Sequence, residues 1–342
     1  MSLDDCGKCD VGEYLCPSDQ RTCVCGADGY GGCPGMAGTH LDASLSEDAR
    51  LAYLSSHTSL EEKASQLTNA APELRSLGIP AFQWLNDDEH GVGRTKAKAT
   101  IFPSGCGLGA TWSHETLGQV GVALGDEARG LHAGFLASDP SRSMKCNGCG
   151  PTLYAPNINL VRDPRWGRAQ EVFGEDPHLM SRLGVALIIG AQGNTPGSPV
   201  GPDGKRIRVA MCCKHFAAYN TEAKCLSDAR VDSRDFWETY MPAFRACAVE
   251  ARATHVMCSY NAVNGVPTCA SKGLLTGVLR DTWDFDGFVV GDYDEWEHLY
   301  PDGSNCTHVT ADATSAAAMG LNAGLDQEGG GTFISSSRRY HA

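Results

Sequence analysis

RIRVAMCCKHF, residues 206–216, is the stretch on which the fold turns. Its apolar run from Val209 to Cys213 is too short for an independent helix and closes on a charged pair, Lys214-His215. The segments AFQWLN (81–86), YAPNINL (154–160), HVMCSYN (255–261) and FDGFVVGDY (285–293) share its character: short, apolar and bounded by turn residues, as strands are. Helical spacing of apolar residues fills the gaps, in residues 113–133, 176–193, 233–251 and 270–283. Further upstream, Thr58-Ser59 followed by Glu61-Glu62 supplies a helix start with acid in its first turn. Strand and helix alternate over about 280 residues, which predicts a parallel α/β protein.

Polar residues gather where the apolar runs end. They are Asn86-Asp87-Asp88-Glu89-His90, Arg162-Asp163, Lys214-His215, Tyr260-Asn261 and Asp292-Tyr293-Asp294. In a (β/α)₈ barrel all such ends face one mouth, where active sites sit.

Composition fits that reading. The chain has 342 residues, 42% hydrophobic and 20% charged, enough apolar material for a sizeable core and against global disorder. That length suits about two domains or a single β/α barrel. Lys plus Arg is 28 against 41 Asp plus Glu, a net charge of −13, which argues against nucleic acid or an anionic membrane as partner. No apolar run reaches the roughly 18 residues of a membrane span. The opening MSLDDCGKCD lacks the basic and apolar regions of a signal peptide. The cysteines point outward nonetheless. There are 16, and Cys6, Cys9, Cys16, Cys23, Cys25 and Cys33 crowd residues 1–40, which reads as a disulfide-stapled arm in an oxidising compartment rather than a zinc site. A glycosylation sequon stands at Asn305-Cys306-Thr307. Cys212, Cys213, Cys258 and Cys269 read as core thiols.

Each candidate has two readings. Asp292, after an apolar strand and Gly291, is either a nucleophile or the cap of a helix starting at Glu295. Lys214 and His215 are either ligand contacts or an ion pair with a satisfied histidine; neighbours on a strand face opposite ways, so both reach one site only through a twist or bulge. The charges from Asp163 to Asp176 either pair among themselves or leave Arg168 free to clamp a polar ligand. Trp84, Trp166, Trp296 and Tyr293 suit sugar faces or plain packing. No G-x-S-x-G, P-loop or dinucleotide fingerprint is present, and His90, His215 and His255 lack an H-E-x-x-H frame, so no cofactor or metal is called for.

Taken together, LGIPAFQWLNDDEHGV, APNINLVRDPRWGRAQEVFGEDP, VAMCCKHFAAYN, VMCSYNAVNGVPTCAS and FDGFVVGDYD resemble the N-terminal barrel of glycoside hydrolase family 3, nearest its β-xylosidase/α-L-arabinofuranosidase branch. The resemblance covers about residues 41–330. It implies a (β/α)₈ TIM-like barrel behind a Cys-rich arm at 1–40, with a tail at 331–342. It implies an exo-acting retaining β-glycosidase, of β-xylosidase type, acting on an oligosaccharide substrate; the cysteines add the expectation that the protein is secreted. The alternatives are a β-glucosidase of the same family or a sugar-binding remnant. Asp292 falls where the family has its nucleophile, with Gly291 in place of the usual Ser. Asp87, Arg168, Lys214, His215 and Tyr260 fall on its substrate contacts. The general acid/base of this branch lies on a following α/β sandwich domain, outside this chain; Asp228 lacks the His partner seen in another branch. Where the family usually has WNEALHG, this chain has Asp88 and Glu89, two extra negative charges beside the Asp87 clamp.

Overall fold

A computed structural model describes residues 38–42, 44–138, 148–198, 207–221, 227–295, 299–300 and 309–331, and the backbone of Glu13–Leu15 and Thr22–Val24. Its centre is a parallel sheet of β1 (Thr152–Leu153), β2 (Ala210–Phe216), β3 (His255–Cys258) and β4 (Phe288–Val290), in the order β4-β3-β2-β1. Nearly every residue in these strands is buried. That is why they read as continuous apolar runs rather than as alternating ones.

Parallel neighbours need crossover connections. α1 (His114–Ser138) lies before β1, and α2 (Pro177–Gln192) joins β1 to β2. Helical turns over residues 233–250 join β2 to β3, and the wide-turned helix Gly273–Thr282 joins β3 to β4. α3 (Ala313–Ala323) follows β4. Asp176 caps α2 by accepting from the His178 and Leu179 amides, Pro177 opens it, and Gly193 ends it at φ 73°. α1 and α2 pack backbone to backbone. A side chain at Gly121, Gly125 or Gly190 would collide with the carbonyl of Leu187, Ala191 or Gly118. The expected helix start at Ser59 is there too, as a full capping box with Glu62.

Side chains split by strand face. Leu85, Tyr154, Cys212, Met257 and Val290, from successive strands and their flanks, form one small inner cluster. Met211, Cys213, Val256 and Val289 join the larger core under the helices. An inner layer with an outer helical shell is the packing expected of a β/α barrel.

Strand pairing departs from the expectation. Among the described residues the parallel sheet has four strands, not eight, and the pair Ala70–Ala71 with Phe82–Gln83 is antiparallel. Beyond the sheet, single backbone bonds continue the connection. They run Tyr154 N–H to Asn86 (2.9 Å), Trp84 N–H to Asn69 (2.9 Å), Asn69 N–H to Gly330 (3.0 Å) and Glu328 N–H to Leu67 (2.8 Å), with a bridge between Val290 and Gln327. YAPNINL continues the pairing with β2 irregularly: the Cys212 and Lys214 amides donate to the Ala155 and Pro156 carbonyls at 3.1 and 3.2 Å, and the Ile158 amide donates to the Lys214 carbonyl at 2.8 Å. Pro156 has no donor, and Asn157 Oδ1 takes the Asn159 amide at 3.0 Å.

Two cysteine expectations are corrected. Cys213 lies against Cys247 (Cα–Cα 6.6 Å) and Cys258 against Cys269 (5.2 Å), both within disulfide span, while Cys212 stays free and buried. Adjacent strand residues face opposite sides, so Cys213 reaches the helical shell and Cys212 does not. The six arm cysteines, the Asn305 sequon and the tail from residue 332 lie outside the described residues.

Candidate active site

The polar strand ends meet. Asp87, Arg168, Lys214, His215, Tyr260 and Asp292 all line one cavity of about 190 Å³, together with Leu85, Arg94, Tyr154, Met257, Tyr293 and Gly329. A larger cavity of about 970 Å³ on the other side of Arg94, beside Lys96, Lys98 and Glu127, contains none of the other candidates.

Asp292 follows β4 and is buried. Its Oδ1 accepts the Tyr293 amide at 2.7 Å, while Oδ2 faces His215 Nε2 at 3.5 Å. The Glu295 amide goes to the Asp292 carbonyl rather than to the carboxylate. Burial pushes its pKa up to about 6, against the opposing pull of Lys214, the Tyr293 amide, Arg168 and Tyr260. The Tyr260 hydroxyl donates to the Tyr293 carbonyl at 2.7 Å, and burial and Asp292 hold its pKa above the usual phenol range.

Both Lys214 and His215 reach the cavity because the β2–β3 register slips between Cys213 and Phe216, the bulge that the pair required. Lys214 Nζ meets Glu89 Oε1 at 2.5 Å. Burial opposes its charge, but Glu89 and Asp87 outweigh that and raise its pKa. His215 Nδ1 stands 3.1 Å from Asn159 Oδ1, and burial together with Arg168 and Lys214 drives its pKa well below the usual value, so the ring is neutral. Arg168 holds Glu171 through two bonds of 2.8 and 2.7 Å, Asn157 Nδ2 donates to the same carboxylate at 3.0 Å, and the guanidinium lies 5.7 Å from the Tyr219 ring centroid. Asp163 instead pairs with the exposed Arg165, so that loop divides its charges between structure and cavity.

The extra acids near Asp87 do not stack up as bare negative charge. Asp88 is buried, takes only the Gly93 amide (3.3 Å), and burial raises its pKa well above the carboxylate range, which favours its proton. Glu89 is answered by Lys214, and Asp87 is paired with Arg94. Arg94, Asn157 and Asn159 are partners that strand-end reasoning does not single out, because nothing local in the sequence marks them; Glu171 belongs to the Asp163–Asp176 charges that the sequence offers for pairing among themselves. Glu295 is another: it is fully buried, neither carboxyl oxygen has a hydrogen-bond partner among the described residues, and burial, Asp292 and Glu328 all raise its pKa.

Other candidates fall elsewhere. Trp84 packs edge-on to Phe82 and Phe288, and Trp166 is buried against Tyr219, so both are packing residues; Trp296 lies outside the described residues. His90 is exposed, and His255 is stacked on Phe288 at 4.5 Å with its pKa pushed by burial down to about 3. The three histidines therefore do not converge. Asp228 is held by Arg230 and the Gly265 amide, away from the cavity lining.

Comparison with known proteins fits this geometry. The chain is 36% identical to beta-xylosidase/alpha-L-arabinofuranosidase 1 of Medicago sativa subsp. varia over 303 residues, 84% of this chain and 36% of that protein. It is 35% identical to beta-D-xylosidase 3 of Arabidopsis thaliana over 310 residues, 86% of this chain and 37% of that protein. It thus spans little more than a third of the length of these curated relatives. Among solved structures it is similar to a GH3 exo-beta-xylosidase (XlnD) in complex with a xylobiose aziridine activity based probe. The TM-score there is 0.75 at 30% identity, covering 87% of this chain and 38% of that one. A GH3 beta-glucosidase of Bifidobacterium adolescentis gives 0.63 at 29% identity, covering 83% and 36%. Residues 142–328, from before β1 to past α3, match the glycosyl hydrolase family 3 N terminal domain, and the chain belongs to that family.

Proposed function

We propose that this chain is the nucleophile-bearing barrel of a secreted, exo-acting retaining β-glycosidase of β-xylosidase type. One observation carries the proposal: a buried carboxylate at a strand end, Asp292, shares a single-sugar-sized cavity with Arg168, Lys214, His215, Tyr260 and Asp87. A cavity of about 190 Å³ suits a single sugar residue, as at the end of a chain. The backbone bonds linking residues 67–69, 84–86, 154, 290 and 327–330 support a barrel-type arrangement around it.

In this reading Asp292 Oδ2 attacks the anomeric carbon, the glycosidic bond breaks, and a glycosyl-enzyme forms. Oδ1 stays on the Tyr293 amide, which orients the attacking oxygen. Lys214 and Arg168 keep part of the carboxylate charged despite burial. Arg168, fixed by Glu171, and Asp87 with Arg94 offer paired contacts to ring hydroxyls. Protonation of the leaving oxygen and activation of water fall to a general acid/base other than the residues placed around the sugar here. The xylosidase reading follows the most similar relatives and the solved exo-xylosidase; similarity to the solved glucosidase favours a glucoside as the second reading.

The test is mass spectrometry after incubation with 2,4-dinitrophenyl 2-deoxy-2-fluoro-β-xyloside, and in parallel with the matching glucoside. The activated phenol needs little acid help, which is otherwise worth about 10²–10⁴-fold. The expected result is one fluoro-xylosyl group on Asp292. An adduct on another residue refutes the nucleophile, a faster glucosyl adduct favours the second reading, and a folded chain that binds xylose but forms no adduct makes it a sugar binder.

A further inference from the structure

Asn157 and Asn159 lie two residues apart in YAPNINL, both buried, and each holds a cavity-lining residue from behind. Asn157 steadies Arg168 through Glu171. Asn159 faces His215, and its geometry is over-determined. The Asn159 Nδ2 group donates to the His215 carbonyl at 2.8 Å, and the His215 amide donates to Asn159 Oδ1 at 2.9 Å. These two backbone bonds fix which end of the amide is oxygen. The atom 3.1 Å from His215 Nδ1 is therefore an acceptor, and Nδ1 must carry the hydrogen.

A neutral imidazole has one N–H. With it committed to Asn159, Nε2 is a bare lone pair, and it faces Asp292 Oδ2 at 3.5 Å. Two acceptors confront each other with no hydrogen between them unless Asp292 is protonated or a ligand hydroxyl enters. We propose that Asn159 is a positioning residue that locks His215 in the Nδ1–H form and makes Nε2 an obligate acceptor beside the reaction centre. Together with the proposed glycosidase function, on which this part rests, it follows that His215 accepts from a sugar hydroxyl and never donates to one. Such a site favours a substrate with a free hydroxyl at that position over one where it is O-alkylated, since an ether oxygen offers Nε2 no donor.

The groups that face the ring are Asp292 at the end of β4, Lys214 beside it on β2, Arg168 from the loop after β1, and the edge of Tyr219, 5.4 Å between centroids. Burial and the two cations oppose an imidazolium and outweigh the Asp292 carboxylate that favours one, so the neutral ring is the form to be tested across about pH 5–8, where histidine ordinarily titrates. The test is a two-bond proton–nitrogen spectrum of the full chain labelled with ¹⁵N-histidine, the His215 signals being assigned by their loss in His215→Gln. The expected wild-type pattern has a protonated Nδ1 and an unprotonated Nε2 throughout that range. An Nε2–H tautomer, or an imidazolium at neutral pH, overturns the inference. In Asn159→Ala, Nδ1 loses its acceptor, and the hydrogen moves to Nε2 to meet Asp292, so the unprotonated resonance shifts to Nδ1. A ring that keeps Nδ1–H in that variant shows that Asn159 is not the lock. Should Asn159→Ala not fold, Asn159→Leu, which keeps the volume and likewise removes the acceptor, makes the same prediction, and a ring that keeps Nδ1–H there counts against the lock. None of these spectra depends on turnover, so a chain that forms no glycosyl adduct yet shows the expected tautomer separates the two proposals.

Discussion

Asp292→Asn should make the folded chain more stable at pH 8, by about 3 kcal/mol. The carboxyl pKa is raised in the fold to about 6 from an ordinary 3.8, a gap of about 2 pH units at ~1.4 kcal/mol each. The sign follows from burial. Below pH 3.8 the group is protonated in both folded and unfolded chains and costs nothing. Between 3.8 and about 6 the unfolded chain ionises first, so folding loses stability as pH rises; above about 6 the full penalty stands. Asparagine keeps the acceptor for the Tyr293 amide, and its amide group can donate to His215 Nε2, so no new unpaired group is created. Urea unfolding of both chains at intervals from about pH 4 to 8 reads the difference, as a rise in midpoint at unchanged slope. The variant's advantage should grow from near zero at pH 4 to its full size at pH 8, while adduct formation with the fluoro-xyloside disappears. An equal advantage at every pH, or a variant less stable than wild type at pH 8, would refute the claim that desolvation of this carboxylate dominates its electrostatics.

The same ionisation predicts that the rate of adduct formation on the wild-type chain rises through about pH 6, measured by intact mass at fixed times; a flat profile removes Asp292 as the titrating attacker. Lys214→Met should destabilise by about 3–5 kcal/mol because Glu89 is left without its cation, and adding Glu89→Gln should recover most of it in a double-mutant cycle of unfolding midpoints. Glu171→Gln should weaken adduct formation by about 10–150-fold and lower the unfolding midpoint as well, a charged hydrogen bond being worth about 1.5–3 kcal/mol, since Arg168 loses its two-pronged anchor. Gly105→Ala should cost about 1–3 kcal/mol in thermal unfolding, because the added methyl collides with the Glu171 carbonyl and the Val172 amide.

Local chemistry made much of this molecule legible. The apolar runs of β2, β3 and β4, the capping box at Ser59 and the Asp176–Pro177 start of α2 are written in a few adjacent residues each, and the structure has them where the sequence puts them. Short strands buried on both faces and ending in charge imply a shared mouth, and Asp87, Arg168, Lys214, His215, Tyr260 and Asp292 do meet there. Strand pairing was less legible. Periodicity does not distinguish a parallel from an antiparallel neighbour, so the pairing of Ala70–Ala71 with Phe82–Gln83 could not be read in advance. Nor does composition say which cysteine faces which, and Cys213 finds Cys247 only because β2 turns that side toward the helices.

By itself, the sequence determined which segments become apolar strands and capped helices, because turn chemistry, hydrophobic period and strand-end polarity act over neighbouring residues; the six side chains bound for one cavity are named by the resemblance to the family. Tertiary structure alone decided how those six are held. Lys214 is charged because Glu89 reaches it, Asp87 is answered by Arg94, and His215 takes its hydrogen from a contact made 56 residues away by Asn159. Such partners are fixed by the distances between folded segments and by the loss of water around them, which no local pattern records.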